Sequence, residues 1–306
     1  MKKYVYNALK FAGLVVALFS LLVSFTSWFV SKKSFNHNQT ESNILLTDSV
    51  QNYDILFIGI SHARMFSKYT NHQNVQEILQ SKIVNLGQGF GICGPNELLF
   101  HLQYFYKNKN HTNSVIYVLS PPMLFSENLT VNPKTFNMEP VRLDFLSNYL
   151  SFESEYKSRR IFDYLRSKLY PSWINHRPID MSEDTLVLEK IDSAEIKKGF
   201  DIAYNNGLDE NRYNKSCLAI EKTIKLALEN NSKFVFIITP AIFGKWPGHD
   251  QTLEFAKEME VKYNVPCYDF SESVKELSYY KDHHHLNSDG VEYFTLNFLK
   301  SILNNY

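Results

Sequence analysis

The sequence predicts a three-layer α/β/α sandwich on a parallel sheet, preceded by one transmembrane helix. Three observations carry this. From residue 54 onward, short β-branched apolar runs alternate with amphipathic helical patterns, which implies right-handed βαβ crossovers and a sheet covered on both faces. With 306 residues and 44% apolar content, the chain has room for one large domain and its appendages. Residues 11–30 carry no charged side chain, over about the twenty positions a bilayer span requires.

In chain order, residues 1–10 form a short N-terminus and 11–30 a signal anchor. Lys2, Lys3 and Lys10 precede the apolar run and Lys32 and Lys33 follow it, so the positive-inside bias places the N-terminus in the cytoplasm. The run is long for a signal-peptide core and lacks a convincing small-residue cleavage site, so the anchor is expected to stay uncleaved. Residues 31–50, rich in Ser, Asn, Thr and Gln, read as a polar tether, and 51–306 as the main domain.

Within that domain, Asp54–Gly59 reads as the first strand, because its apolar run is of strand length and has the composition of a strand buried on both faces. Gln73–Lys82 is helical, and Ile83–Gly87 is a second strand entering the glycine-rich stretch 87–91. A helix starts at Pro95 or Asn96 and reaches about Lys107. Ser114–Ser120 is the third strand, stopped by Pro121 and Pro122. Arg212–Asn230 is a long amphipathic helix, Lys233–Thr239 the fourth strand, Gln251–Tyr263 a helix and Val265–Asp269 a short fifth strand. Asn287 or Ser288 caps a last helix whose Val291, Phe294, Phe298, Leu299, Ile302 and Leu303 share one face.

About ninety residues separate the third and fourth strands, far more than one crossover needs, so 126–211 is an insertion. It holds Tyr149, Tyr156, Tyr164, Tyr170 and Trp173 beside Arg142, Arg159, Arg160, Arg166 and Arg177. Aromatic faces beside basic groups suit sugar rings and anionic polymers, which makes Trp173 and Arg177 candidate substrate-binding residues; an ordinary satellite core has the same composition. Lys plus Arg equals Asp plus Glu at 32 each, and no basic helix or Cys/His finger appears, which argues against a nucleic-acid partner. Cys93, Cys217 and Cys267 are odd in number and scattered, giving neither a disulfide framework nor a zinc site.

The chemistry lies at the two ends of the domain. Gly59-Ile60-Ser61-His62 follows the first strand directly, so a hydroxyl can project from the carboxyl edge of the sheet, where α/β folds place ligands. Asp282-His283-His284-His285 stands before the last helix, and an Asp three residues ahead of a His can orient its imidazole, leaving the other nitrogen for a serine proton. Consecutive histidines in a loop rarely face one ion, so neither metal nor other cofactor is expected. His62 either points into the site or caps the turn. Asp54 reads as a polar cap at the strand start, and Asp289 belongs to the N-terminus of the last helix.

Together these two motifs resemble the SGNH (GDSL-like) hydrolase superfamily, with Gly-Ile-Ser-His in place of the block that carries its serine and Asp282-His283-His284-His285 as its closing Asp-x-x-His. The resemblance covers residue 52 to the end. It implies a flavodoxin-like strand order and catalysis by Ser61, His285 and Asp282, with an oxyanion hole made by the backbone N–H groups of Ser61 and Gly89. One departure stands out: the family's third block brings an asparagine, and here Leu119-Ser120-Pro121-Pro122-Met123 has none. The chain looks most like divergent, membrane-anchored members that acylate envelope polymers. The expectation is therefore a bacterial, single-pass membrane protein whose catalytic domain faces the periplasm or exterior. It would move acyl groups to a cell-envelope glycan or acylated polymer, with a membrane acyltransferase as partner; an esterase, or a catalytically silent scaffold, is the alternative.

Overall fold

Alternation along the strands shows why they sit where they do. In β1 (Asn52–Gly59), Leu56 and Ile58 enter one apolar cluster while Ile55 and Phe57 enter another on the opposite face. The same division holds in β3 (His111–Val118) and in β4 (Lys233–Ile238), with Tyr117 and Phe236 on the first side and Ile116 and Ile237 on the second. A strand buried on both faces needs apolar residues at every position, and these runs supply them. With β2 (Ile83–Asn85) and β5 (Cys267–Asp269), they form a five-stranded, all-parallel sheet in the order β2-β1-β3-β4-β5. That is the flavodoxin-like order.

This computed structural model describes residues 2–34, 50–88, 93–127, 134–175, 185–204 and 207–304. The helices in chain order are α1 (Lys2–Ser34), α2 (Ser61–Arg64), α3 (Asn71–Leu79), α4 (Pro95–Lys107), α5 (Pro121–Phe125), α6 (Leu143–Ser151), α7 (Lys157–Ser167), α8 (Pro171–Ile174), α9 (Ser193–Ala203), α10 (Glu210–Glu229), α11 (His249–Tyr263) and α12 (Ser288–Phe294). A π-helical segment, Thr295–Leu299, leads into α13 (Lys300–Asn304). Contacts divide the chain into one unit of residues 1–45 and 133–179 and a second of 46–132 and 180–306.

The second unit is the sandwich. Leu98, Leu102 and Phe105 of α4, Ile220 and Ile224 of α10 and Phe255 and Met259 of α11 cover one face of the sheet. Ala63 of α2, Phe66 in the turn after it, Val75 of α3, and Val291 and Phe294 of α12 cover the other. Several boundaries shift by a few residues from those expected, β3 among them, which runs His111–Val118 where Ser114–Ser120 was expected. Two departures have a local cause. The fifth strand starts at Cys267, since Pro266 has no N–H to give the ladder and only its carbonyl is used, by Phe236 N. The last helix widens into a π segment at buried Thr295, whose hydroxyl donates to the carbonyl of Val291 at 2.7 Å.

The first unit has a core of its own. Phe136, Phe145, Tyr149 and Tyr164 pack ring against ring, and buried Arg160 donates to the Ser154 hydroxyl and the Glu155 carbonyl. α1 is long and apolar enough to cross a membrane and exposes most of its large side chains, Trp28 and Phe29 among them. Val23, Ser27 and Val30 form its one buried stripe, where Ser27 Oγ accepts from Val141 N at 2.6 Å and Thr26 O accepts from the Trp173 indole at 3.3 Å. This corrects the sequence-based role of Trp173. Its ring is buried, with the Lys168 ammonium 3.9 Å from its centre, so it has no face left for a sugar. Arg177 lies outside the described residues.

Gly59 ends β1 with φ at +152°, and a Cβ there would stand 2.9 Å from the Val118 carbonyl oxygen and 3.0 Å from the Ala63 Cβ. Gly59→Ala is therefore expected to destabilise the protein by about 2 kcal/mol, through backbone strain and overpacking. Urea denaturation of the variant against the parent chain measures it.

Candidate active site

The turn after β1 decides where the hydroxyl goes. Ile60 is extended and its carbonyl accepts from Ala63 N and Arg64 N, so α2 begins at Ser61 without delay. The loop after β2 then closes on the turn: Asn85 Nδ2 donates to Ala63 O at 2.8 Å while Asn85 Oδ1 accepts from Gly87 N at 2.8 Å. Gly87 has to be a glycine, because a Cβ would come within 2.8 Å of Arg64 N.

The second half of the site is a pinched loop before α12. Tyr280 and Leu286 pair as an antiparallel bridge, Lys281 N donates to His285 O, and Asn287 Oδ1 caps α12 through Gly290 N. Inside this loop Asp282 Oδ1 accepts from the backbone N–H groups of His284 and His285 at 3.0 and 2.8 Å. The carboxylate is thus fixed before it meets any side chain.

These two pieces meet. His285 Nδ1 lies 2.8 Å from Asp282 Oδ2, and His285 Nε2 lies 2.8 Å from Ser61 Oγ, across 224 positions of sequence. With Nδ1–H donating to the carboxylate, Nε2 is left as an acceptor facing the serine hydroxyl. Burial works to raise the Asp282 carboxyl, but the His285 hydrogen bond and the neighbouring imidazoles outweigh it and hold the group well below the carboxylate range. Asp282 is accordingly an anion throughout the working pH range.

His62 points inward. It is 4% exposed, its ring stacks on His285 at 4.9 Å between centres, and its Nδ1 has no hydrogen-bond partner among the described residues. Burial, then the His285 and His284 rings, push its pKa well below the ordinary imidazole value. His284 stands 4.1 Å from His285 and edge-on to Trp246 at 5.3 Å, and burial lowers its pKa to about 3. His283 turns aside, its Nε2 accepting from Asp192 N at 2.9 Å. His62 joins the other two members of the run: one ring nitrogen from each of His62, His284 and His285 lies within 4.8 Å of the others.

Several features escaped the sequence reading. A cavity of about 270 Å³ beside Asp282 and His284 is walled by Phe243 and Trp246 and by Glu195, Lys198 and Ile202 of α9. Trp246 lies in the loop after β4, at the ligand-bearing edge of the sheet, and that position was the available signal. Ser120 lies two residues beyond Val118, the last residue of β3 and the one paired with Gly59, and its buried hydroxyl has no partner among the described residues. Gly89 lies outside the described residues. Cys217 and Cys267 offer no rival nucleophile, since burial pushes both thiols up to about 12.

No protein-family model matches the chain, and no curated protein matches it. Among solved structures it is similar to a candidate acylhydrolase from Bacteroides fragilis, at 13% identity and a TM-score of 0.43 over 82% of this chain and 86% of that one. It is also similar to a GDSL-like lipase from Bacteroides thetaiotaomicron, at 12% identity and a TM-score of 0.40 over the same shares. At these scores the likeness carries no weight for the chemistry, which is read from the site itself.

Because His284 is held near 3 when folded against an ordinary 6.5, the unfolded chain binds its proton first as pH falls. His62 acts in the same sense. Stability is expected to be undiminished above about pH 7, to fall as pH drops from there toward 3, and to fall less steeply in His284→Gln. Thermal midpoints measured across that range with chelator present test this.

Proposed function

We propose that the chain is an SGNH-like serine acyl-ester enzyme, and that it moves acyl groups, acetyl foremost, to or from a cell-envelope glycan. The observation that carries the reading is the unbroken line of two 2.8 Å contacts from Asp282 through His285 to Ser61. In the first half-reaction Ser61 Oγ attacks the acyl carbonyl as its proton passes to His285 Nε2. The imidazolium then returns that proton to the leaving alkoxide, and an acyl-Ser61 remains. In the second half a hydroxyl gives its proton to His285 and its oxygen to the acyl carbon, and the bond to Ser61 Oγ breaks as that oxygen takes the proton back from the imidazolium. Water as acceptor makes the enzyme an esterase, and a sugar hydroxyl makes it a transferase.

The negative oxygen of each tetrahedral state needs donors, and the Ser61 N–H, in the first turn of α2, is one. Gly89 is proposed as the second. Transfer is favoured by the aromatic cavity next to the triad, which suits an acceptor sugar, and by the apolar helix, which would hold the enzyme beside a membrane donor or acyltransferase partner. A bacterial cytoplasmic membrane, with the sandwich on its outer side, fits that helix and its flanking lysines.

Ser61→Ala is expected to lower turnover of a small acetyl ester at least about 10,000-fold, and Asp282→Asn roughly 10,000-fold. Mass spectrometry of the parent protein mixed with the ester should find one acetyl adduct, at Ser61. Undiminished turnover in the alanine variant would remove the nucleophile. Adding an oligosaccharide acceptor should divert acetyl from water to sugar, and its failure to do so would leave the esterase reading. The full chain is expected to stay in the membrane fraction through high-salt and alkaline washes; its release would remove the anchor.

A further inference from the structure

From the convergence of His62, His284 and His285 we infer a binding site for a borderline-soft divalent cation, zinc being the best fit, whose occupation silences Ser61. One nitrogen from each ring lies within 4.8 Å of one from each of the others. Tetrahedral zinc holds its nitrogens at 2.0–2.1 Å and so roughly 3.4 Å apart, and the widest pair has to draw in by about 1.5 Å. His284 can make that movement, since its side chain is 31% exposed. His62 need not move.

Two further observations point to a ligand rather than to packing. The first is that His62, 4% exposed, carries an unpartnered Nδ1, an arrangement that costs stability unless something fills it at some stage of the protein's work. The second is the support behind the rings. Asp282 accepts a hydrogen bond from His285 Nδ1 at 2.8 Å, which is how carboxylates fix the tautomer and aim of metal-binding imidazoles, and the same carboxylate lies 3.5 Å from His284 Nδ1. Three nitrogen donors and no hard-oxygen cage select zinc over magnesium or calcium.

Silencing follows from counting lone pairs. His285 Nε2 has one, and in this structure it faces the Ser61 hydroxyl at 2.8 Å. Given to the cation it cannot accept the serine proton, so the metal-bound and nucleophilic states exclude each other. Ser61 Oγ stands beside the same nitrogen and can complete the coordination as a neutral fourth donor. The silencing rests on the serine reading above; the binding does not.

The test uses the full chain in detergent, freed of metal by chelator and then titrated with Co²⁺ as a spectroscopic probe and with Zn²⁺. One equivalent of cobalt should bind with the strong visible bands of a four- or five-coordinate ion, in the parent and in Ser61→Ala alike. His284→Asn and His62→Gln should each weaken binding at least about tenfold, and if the buried His62 variant does not fold, the His284 variant decides. Zinc should inhibit acetyl-ester turnover of the parent, chelator should restore it, and His284→Asn should need at least about ten times more zinc for half-inhibition relative to its own metal-free rate. Only the weak spectrum of a six-coordinate ion, or inhibition indifferent to His284→Asn, would overturn the site. Cobalt binding in a protein that never acylates at Ser61 supports the site and removes the serine reading, and acylation without cobalt binding does the reverse.

Discussion

Everything in the site depends on how closely three backbones approach one another at Gly59, Ala63 and Gly87. β1 ends against β3 with no room for a side chain at Gly59, and the loop after β2 touches α2 with none at Gly87. Asn85 closes the arrangement by donating to Ala63 O and accepting from Gly87 N. The tightness fixes the start of α2 and therefore the direction of the Ser61 hydroxyl. A looser turn would leave that hydroxyl to wander by more than the tolerance of a hydrogen bond to His285.

Opposite that turn, the closing loop achieves the same rigidity by different means. Asp282 spends one oxygen on two backbone amides and keeps the other for His285, so imidazole and carboxylate are aligned by a loop of four residues rather than by the core. Burial first, and then the neighbouring imidazoles, depress the affinity of His62 and His284 for protons. The site thus keeps His62 and His284 uncharged beside His285.

Much of this was legible in the sequence because it is written in local patterns. Unbroken apolar runs such as 55–58 and 115–118 belong to strands buried on both faces, and the helix starting at Pro95 and the cap at Asn287 are short-range signals. The Ser61 and Asp282–His285 pair was visible because each motif sits at a strand or helix boundary. What was not legible is long-range. Trp173 has the composition of a sugar platform and only its packing under Lys168 shows otherwise, and no spacing rule joins His62 to His284 or Trp246 to the cavity. The return of residues 180–211 to the sandwich, while 133–179 pack with α1, is likewise a property of contacts that composition does not encode.

One wall of the cavity differs in kind from the rest of the sandwich. α9 supplies Glu195, Lys198 and Ile202 to it, yet none of the residues of α9 is buried, and Asp192 N reaching His283 ties its start to the closing loop. Apart from Phe200 and Ala203, which pack against the core, substitutions along this helix therefore carry only a small stability penalty. One surface helix can thus reshape the lining of this cavity while the contacts that join Asp282, His285 and Ser61 stay as they are.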